Sequence, residues 1–276
     1  MNLLFRLFLG SCLLAGCRSA EKTAGASASR LVVLSYNIHH ANPPSRPAGF
    51  IDLDTIAATI RASGADLVAI QELDSVTTRS NGVYQLAVLA EKLGMYYRFE
   101  RTIPFGGGAY GIGILSRFPI QDARAYALPN LDALPAEPRK ALLVQLNWQG
   151  TPLYFGCTHF DFTNQELKLA QAKALLTHLA AVQQYPVLVA GDFNAEPEEA
   201  SIRLLSSTFG SAGKATDYTI PELHPDKKID YIFYTPGWFQ PESSEVLTKD
   251  SYGSDHLPLR AVFKRLPTKA GQAPDR

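Results

Sequence analysis

Asp192 and Asn194, within Gly191-Asp192-Phe193-Asn194, combine residue types and a spacing that could serve catalysis. In an extended backbone, residues two positions apart project to the same side, so a carboxylate and a carboxamide would act together. Such a pair suits proton transfer and hydrogen bonding at an oxygen-rich, electron-poor centre. Asp and Asn also simply favour turns, so the motif on its own leaves both interpretations open.

Other polar residues stand at the ends of further short apolar runs, as Asp192 does after the run 186–190. They are Asn37, Glu72, His159, Asp230, Asp255 and His256. Strand ends that meet at one edge of a sheet make a natural site. We therefore expect these side chains to converge.

The oxygen donors in this set favour a hard cation. Carboxylate and carboxamide oxygens suit Mg²⁺ or Mn²⁺ rather than zinc. They belong to Asn37, Glu72, Asp192 and Asp255. The histidines could bind zinc, but no HxxxH or CxxC spacing supports that choice. The predicted cofactor is Mg²⁺, with Mn²⁺ as the alternative.

Apolar runs and helical periodicity predict the elements that must position these residues. Strands are predicted at 31–36, 66–70, 96–101, 112–115, 141–148, 153–157, 186–190, 229–234 and 259–263. Helices are predicted from Asp52 to Gly64, from about Val83 to Leu93, and from Gln165 to Val182. The glycines at 106–108 predict a loop whose backbone approaches a partner closely. Early helix–strand alternation and a strand-rich middle predict two sheets covered by helices, an α/β or α+β sandwich.

Taken in order, seven motifs resemble the endonuclease/exonuclease/phosphatase family. They are SYNIHH, AIQELD, GIGILSRFPI, THFD, GDFN, KIDYIF and SDHLP, and together they span Leu31 to Phe263. The resemblance implies an α/β fold, a four-layer αββα sandwich of two mixed β-sheets flanked by helices. It also implies one or two bound divalent cations and a phosphoester substrate.

The resemblance implies a role for each matching residue on the metal and phosphate side. Glu72 would bind the metal, helped by Asn37 and Asp255. Asn194 and His159 would donate hydrogen bonds to phosphate oxygens. A phosphodiester is negatively charged and repels nucleophiles, so a cation and hydrogen-bond donors are also what the chemistry requires.

The resemblance also implies how protons are handled. His256, oriented by Asp230, would be the general base or the group that holds the phosphate. Asp192 would polarise the attacking water or manage the leaving-group proton, and the division between Asp192 and His256 stays open. Arg139 is a further candidate phosphate contact, and a solvated cation at a strand start is an equally good interpretation. His39 and His40 follow Asn37, and whether either lines the site also stays open.

The first residues predict export and a lipid anchor. Residues 1–16 carry Arg6 within an apolar run that is short for a membrane span and typical of a signal peptide. Leu14-Ala15-Gly16-Cys17 resembles a bacterial lipobox, in which the cysteine is acylated; an ordinary cleaved leader is the alternative. Residues 17–30 are small and polar, as in a flexible tether. We expect a lipid-anchored protein of the cell envelope, at the outer membrane or in the periplasm.

Composition bounds the rest of the chain. The 276 residues, 46% hydrophobic and 19% charged, suit one domain at 31–265 followed by a disordered tail at 266–276. The formal net charge is zero, whereas proteins that bind nucleic acids or other polyanions usually carry a basic surface. Beyond the predicted leader and its lipobox, Cys157 is the only cysteine, and its apolar context predicts a buried, inert thiol. We expect a monomer.

These observations predict a divalent-metal-dependent phosphoester hydrolase, most simply a phosphodiesterase, acting on lipid headgroups or small phosphodiesters. The stretches GGGAYGIGILSRFPI and SGADLVAIQELD are similar to a compact bacterial subgroup related to lipid-remodelling and sphingomyelinase-type enzymes. One alternative is an extracytoplasmic endonuclease or exonuclease. The other is a catalytically inactive surface-binding lipoprotein. An apolar rim around the site would favour lipid, and a basic groove would favour nucleic acid.

Overall fold

The structure is a computed structural model that describes residues 30–130, 136–249 and 251–267. The predicted signal peptide, Cys17 and the tether up to residue 29 lie outside the described residues, as do residues 268–276 of the predicted tail. Arg30 already belongs to the first strand. Across the described ranges, no helix has both the length and the apolar character that crossing a bilayer requires.

Within these ranges, twelve strands and four helices form the domain. The strands are β1 (Arg30–Asn37), β2 (Leu67–Ser75), β3 (Tyr96–Phe105), β4 (Gly108–Ser116), β5 (Ile120–Ala127), β6 (Lys140–Trp148), β7 (Thr151–His159), β8 (Val187–Asp192), β9 (Gly210–Ser211), β10 (Asp230–Tyr234), β11 (Phe239–Val246) and β12 (Leu259–Arg265). The helices are α1 (Leu53–Ser63), α2 (Gln85–Leu93), α3 (Gln165–Ala180) and α4 (Ala200–Ser206).

The strands form two mixed sheets of six strands each. The first sheet has the order β11-β12-β1-β2-β4-β3, and the second has the order β5-β6-β7-β8-β10-β9. Each sheet holds one parallel pair at its centre, β1 with β2 in the first and β7 with β8 in the second. The carboxyl ends of each parallel pair therefore lie side by side at one edge of their sheet.

The core explains why the central strands read as continuous apolar runs. Alternate side chains of a strand face opposite sides: Leu31 and Val33 pack between the sheets, whereas Leu34 and Tyr36 pack in the cluster that α1 and α2 share. A third cluster joins α3 and α4 to the outer face of the second sheet. Strands covered on both faces carry apolar residues on both sides. The predicted αββα sandwich is confirmed.

The predicted helix signals act as expected at two helices. The Asp52 carboxylate accepts a hydrogen bond from the Thr55 amide at 2.9 Å, and Gly64 ends α1 with a φ of 66°. The Asn164 side chain caps α3 in the same way. The helix predicted from Val83 begins two residues later, at Gln85, because Tyr84 pairs with Ser75 in an isolated bridge.

The glycines at 106–108 make a tight turn with a close backbone contact, since a Cβ on Gly108 would lie 2.2 Å from the carbonyl oxygen of Ser75. Gly106 and Gly107 have φ values of 52° and 79° and make the two-residue turn between β3 and β4. Such turns need left-handed backbone, which glycine adopts without strain. Neither α4 nor the strands β5, β9 and β11 were predicted from the sequence. The edge strands β5 and β11 are half-exposed and lack a continuous apolar run.

Candidate active site

Strand register brings three of the predicted residues together on the second sheet. His159 at the end of β7 is paired with Asp192 at the end of β8, and Asp230 at the start of β10 is paired with the same Asp192 from the other side. A Cβ on Gly191 would lie 2.2 Å from the carbonyl oxygen of Thr158. Gly191 is therefore needed for the close approach of β7 and β8.

Asn37, at the end of β1, connects the two sheets. Its Nδ2 donates to Glu72 Oε1 at 3.0 Å and to Asp192 Oδ2 at 3.1 Å. Its Oδ1 accepts a hydrogen bond from the His39 amide at 3.1 Å. Because the carboxamide oxygen is already engaged, Asn37 acts here as an orienting group between two carboxylates.

Ser254 holds the last predicted motif against the end of β1. Its hydroxyl donates to the Asn37 carbonyl at 2.7 Å and lies 3.3 Å from Asp255 Oδ1. The His256 amide in turn donates to the Ser254 hydroxyl at 3.2 Å. The half-exposed Asp255 and the buried His256 are thereby placed on either side of the strand end.

His256 lies between two carboxylates. Its Nδ1 donates to Asp230 Oδ2 at 2.9 Å, and its Nε2 lies 3.7 Å from Asp192 Oδ2. Burial disfavours the charged imidazole, but the charges of Asp230 and Asp192 outweigh burial and raise the pKa of His256. Thr219 donates to Asp230 at 2.6 Å and fixes that carboxylate. At neutral pH, His256 is therefore a buried cation.

Asp192 is the buried carboxylate at the centre of the group. Burial and, next, the neighbouring charge of Asp230 raise the pKa of Asp192, against the opposing effects of His256 and two hydrogen bonds. A group whose pKa moves towards neutrality is well suited to exchange protons at neutral pH.

His159 is held in one tautomer by Arg139. The Arg139 guanidinium can only donate, so the 2.9 Å contact from its Nη1 makes His159 Nδ1 an acceptor and leaves the proton on Nε2. Burial and then Arg139 hold the pKa of His159 well below its usual range, so the ring is neutral. Its Nε2–H lies 3.6 Å from Asp192 Oδ2. Arg139 itself is buried beside Glu137 and is not a solvated cation.

Asn194 is held by its neighbours beyond β8. Its Nδ2 donates to the Phe160 carbonyl at 3.0 Å, and its amide donates to Asp192 Oδ1 at 2.9 Å. Lys168 Nζ donates to the Asn194 carbonyl at 2.7 Å. One amide hydrogen of the side chain is thus used within the protein, and the second is the one free to reach a phosphate oxygen.

Glu72 lies in a bulge of β2, not at the strand end that its motif predicts. The pairing with β4 shifts between Ile70 and Leu73, and Glu72 has a φ of 59°. The bulge turns the Glu72 side chain towards His39 and His40, and ligand atoms of these three residues lie within 4.8 Å of one another. Burial, followed by the charge of Arg79, lowers the pKa of His40 to about 4, so this ring is neutral too.

Two groups of side chains bring metal-ligand atoms together, but the cationic His256 of the second group has no lone pair to offer a metal. The first is His39, His40 and Glu72, which are half-exposed; the second is Asp192, Asp230 and His256, which are buried. Hydrogen bonds and charges within the second group already satisfy most of its atoms. The sequence left open whether His39 or His40 lines the site, and their position just beyond Asn37-Ile38 was the available signal.

Large hydrophobic side chains are exposed in segments that adjoin the site in sequence. In the described ranges, eight large hydrophobic residues are exposed, and six of them lie in segments next to the strand ends that carry the site. Leu223 and Phe162 are the most exposed, at 77% and 67%. The six residues, called the apolar rim below, are Phe50, Val76, Phe105, Phe162, Tyr218 and Leu223.

Comparison with known proteins agrees with this architecture. The sequence profile described as the Endonuclease/Exonuclease/phosphatase family matches residues 34–256. No curated protein matches the sequence. An endonuclease/exonuclease/phosphatase from Beutenbergia cavernae has a similar structure, with a TM-score of 0.71, 24% identity, and coverage of 86% of this chain and 72% of that chain.

Two further solved structures share the fold. The mannosyl-6-phosphatase of Bacteroides thetaiotaomicron has a TM-score of 0.69 and 20% identity, and the match covers 84% of this chain and 99% of that chain. The human Nocturnin catalytic domain with bound sulfate has a TM-score of 0.70 and 22% identity, with coverage of 86% of this chain and 95% of that chain. At such identities, the likeness concerns the fold.

Proposed function

Because this chain belongs to the endonuclease/exonuclease/phosphatase family, we propose that it is a divalent-metal-dependent phosphodiesterase that acts on lipid headgroups or small phosphodiesters. The observation that carries the proposal is the convergence of His159 and His256 on one buried carboxylate oxygen of Asp192, with Asp230 bound to the far side of His256. Asp192 Oδ2 lies 3.6 Å from His159 Nε2 and 3.7 Å from His256 Nε2.

We propose the following division of the chemical work between these residues. The cationic His256 and the neutral N–H of His159 flank Asp192, and both donate where phosphate oxygens need donors. Asp192 accepts the proton of the attacking water. Water oxygen bonds to phosphorus, the bond from phosphorus to the alcohol oxygen breaks, and the proton taken by Asp192 is the one that the leaving oxygen requires. His256 thus holds the phosphate, and Asp192 is the general base.

The half-exposed carboxylates fit a divalent cation. The Asn37 side chain donates a hydrogen bond to Glu72. The Ser254 hydroxyl links the Asn37 carbonyl to the Asp255 carboxylate. Both would hold the cation with carboxylate oxygens, the donors that divalent cations favour. Such an ion neutralises charge on the phosphoryl group and polarises its oxygens.

The apolar rim supports a lipid or another substrate with an apolar portion. Each Å² of apolar surface removed from water contributes about 25 cal/mol, so the exposed side chains of the rim favour contact with a membrane surface. The related structures fit a phosphoester site, since one is a mannosyl-6-phosphatase and another holds a bound sulfate. The lipobox at Cys17 would keep the enzyme at a membrane.

The reaction is tested with the purified protein and bis(p-nitrophenyl) phosphate in Mg²⁺, Mn²⁺ or EDTA. We expect metal-dependent turnover that falls roughly 10²–10³-fold in His256→Ala, because one donor to the phosphate is lost. His178→Ala is the matched control, since His178 lies in α3 and stacks on Tyr126. Turnover in EDTA, or a His256→Ala variant as active as wild type, would contradict the proposal.

The substrate class is tested with phosphatidylcholine and sphingomyelin vesicles, duplex and single-stranded DNA, and p-nitrophenyl phosphate. We expect hydrolysis of the lipids, and slower vesicle turnover in Phe162→Ser and Leu223→Ser with bis(p-nitrophenyl) phosphate turnover unchanged. Tyr96→Ser is the control, since Tyr96 is 52% exposed at the start of β3, away from the site. Faster cleavage of DNA than of any lipid would overturn the lipid assignment and favour a nuclease.

The anchor is tested separately from catalysis. We expect Cys17→Ser to move the protein from the membrane fraction to the soluble fraction, and acyl chains to be found on the N-terminal peptide by mass spectrometry. Cys12→Ser is the control within the same leader. An unacylated N-terminus at another residue would show an ordinary cleaved leader instead.

A further inference from the structure

We infer that His39, His40 and Glu72 form a cation site of mixed nitrogen and oxygen donors, selective for first-row transition ions such as Co²⁺, Mn²⁺ or Zn²⁺ over Mg²⁺. Ligand atoms of the three residues lie within 4.8 Å of one another. The inference rests on the proposed function for the role of the ion in catalysis, whereas ion binding itself is measurable without turnover.

The hydrogen bonds of His39 prepare its free nitrogen for a metal. Its Nδ1 lies 3.0 Å from the carbonyl oxygen of Asn42, which can only accept, so the proton is on Nδ1 and the lone pair is on Nε2. Metal-binding histidines commonly donate their other ring N–H to a carbonyl or carboxylate in this way.

His40 has an unused polar atom at the same place. Its Nδ1 is buried and has no hydrogen-bond partner among the described residues. A buried polar atom left unpaired costs about 1–3 kcal/mol, which a bound ion or its hydration shell would remove. The His40 carbonyl accepts from Gln85 Nε2 at 2.6 Å, so α2 holds this residue in place.

The backbone of the site is strained in both segments that supply donors. His39, His40 and Ala41 have φ values of 44°, 44° and 57°, and Glu72 has a φ of 59°. Left-handed backbone costs a non-glycine residue roughly 1–2 kcal/mol, and such strain is concentrated at functional sites. Here it turns three donor side chains towards one point.

The donor set determines which ions bind well. Mg²⁺ prefers six oxygen ligands and gives up its water reluctantly. Imidazole nitrogen suits first-row transition ions, and two histidines with one carboxylate leave coordination positions open for water and substrate. The oxygen-only set predicted from the sequence favoured Mg²⁺, whereas the two histidines shift the preference towards a transition ion.

The test measures Co²⁺ and Mg²⁺ binding to the full-length protein by calorimetry and by the visible absorption of Co²⁺. We expect tighter binding of Co²⁺ than of Mg²⁺, and a loss of Co²⁺ affinity of at least about 10–100-fold in His39→Ala and in His40→Ala. His178→Ala, on the outer helix α3, should bind as wild type does. Unchanged Co²⁺ affinity in both variants, or tighter Mg²⁺ than Co²⁺ binding in wild type, overturns the inference.

A measurement on wild type guards against variants that fail to fold. Pulsed EPR of the Mn²⁺-loaded protein should show hyperfine coupling to imidazole nitrogen, and its absence overturns the inference. Parallel assays on bis(p-nitrophenyl) phosphate separate the two proposals. If the enzyme turns over substrate but His39→Ala and His40→Ala bind ions as wild type does, only this inference is overturned. If both variants lose ion affinity but wild type hydrolyses no phosphoester, only the proposed function is overturned.

Discussion

The two halves of the site are built in opposite ways. On the second sheet, His159, Asp192 and Asp230 sit at paired positions of regular strands, and all three are buried. On the first sheet, the donors come from a strand bulge at Glu72 and from a left-handed segment at His39–Ala41, and they are half-exposed.

This difference matches two different physical tasks. Proton transfer and phosphate contact need donors that are held in place, since electrostatic stabilisation is greatest in a preorganised, dry setting. A cation has to enter and exchange, which a half-exposed group permits. Asn37 joins the halves, because its Nδ2 donates to Glu72 on one side and to Asp192 on the other. We therefore expect substitutions in the buried half (His159, Asp192 and Asp230) to affect catalysis most. Substitutions in the open half (Glu72 and His39–Ala41) should affect ion binding and local stability.

The largest effect is expected from Asp192→Asn, at the centre of the buried half. Losing a positioned general base lowers kcat/KM by roughly 10²–10⁴-fold. We also expect a lower Tm, because both Asp192 oxygens accept hydrogen bonds, and the Asn amide nitrogen would face one of those donors. Initial rates on bis(p-nitrophenyl) phosphate and thermal unfolding measure the two effects. Activity within tenfold of wild type would show that the proton is handled elsewhere.

Asp230→Asn tests the charge of His256 through pH. The pKa of His256 is raised in the folded protein, so the imidazolium, and the stability it contributes, is retained at low pH and lost as pH rises through that pKa. An opposite charge at close range shifts a pKa by about 1–3 units. We therefore expect the alkaline limb of the kcat/KM profile to move to lower pH by about that amount in Asp230→Asn.

The control for this pH shift is Asp226→Asn, since Asp226 is exposed in the segment before β10. Its alkaline limb should coincide with that of wild type. An alkaline limb that stays in place in Asp230→Asn would mean that His256 does not act as the cation, and it would return the general-base role to that residue.

Side-chain hydrogen bonds hold the open half in place, and Arg79→Ala tests their contribution to stability. Asp74 is fully buried and accepts from Arg79 Nε at 2.7 Å and Nη2 at 2.8 Å. Its backbone amide donates to Gln85, the residue that holds the His40 carbonyl. Hydrogen bonds to charged groups contribute about 1.5–3 kcal/mol, so we expect a loss of that size in urea unfolding. Arg79→Lys should retain part of it, and two variants as stable as wild type would contradict this account.

The sequence was most informative where the proposed site residues lie at paired strand ends. Asp192 and His159 mark strand ends, and a short apolar run before each one is enough to place it there. The caps at Asp52 and Asn164 also act as predicted, since capping is local chemistry. Helix–strand alternation and a strand-rich middle predicted two sheets covered by helices, and the family resemblance implied the four-layer arrangement.

The open half was harder to predict, for physical reasons. Left-handed backbone is expected at glycine, yet it occurs at His39, His40, Ala41 and Glu72, where tertiary contacts impose it. The bulge at Glu72 depends on its pairing with β4, which a single strand sequence does not contain. The role of Arg139 was likewise hidden, because its contact with His159 joins two strands across their hairpin.

The smallest effect is expected from a matched pair of Ala→Gly substitutions. One lies in a regular strand and the other in left-handed backbone. Ala190 in β8 and Ala41 are both fully buried, but only Ala41 has a positive φ. In Ala190→Gly, loss of a buried methyl group and a more flexible unfolded chain should lower the free energy of unfolding by about 1–2 kcal/mol.

In Ala41→Gly, the same losses are offset by relief of about 1–2 kcal/mol of left-handed strain, so the net change should be near zero. Urea unfolding of the two variants measures the difference directly. If Ala41→Gly is as destabilising as Ala190→Gly, the segment His39–Ala41 stores no strain. The two halves would then differ only in exposure, and the cation site would have to be supported by its side chains alone.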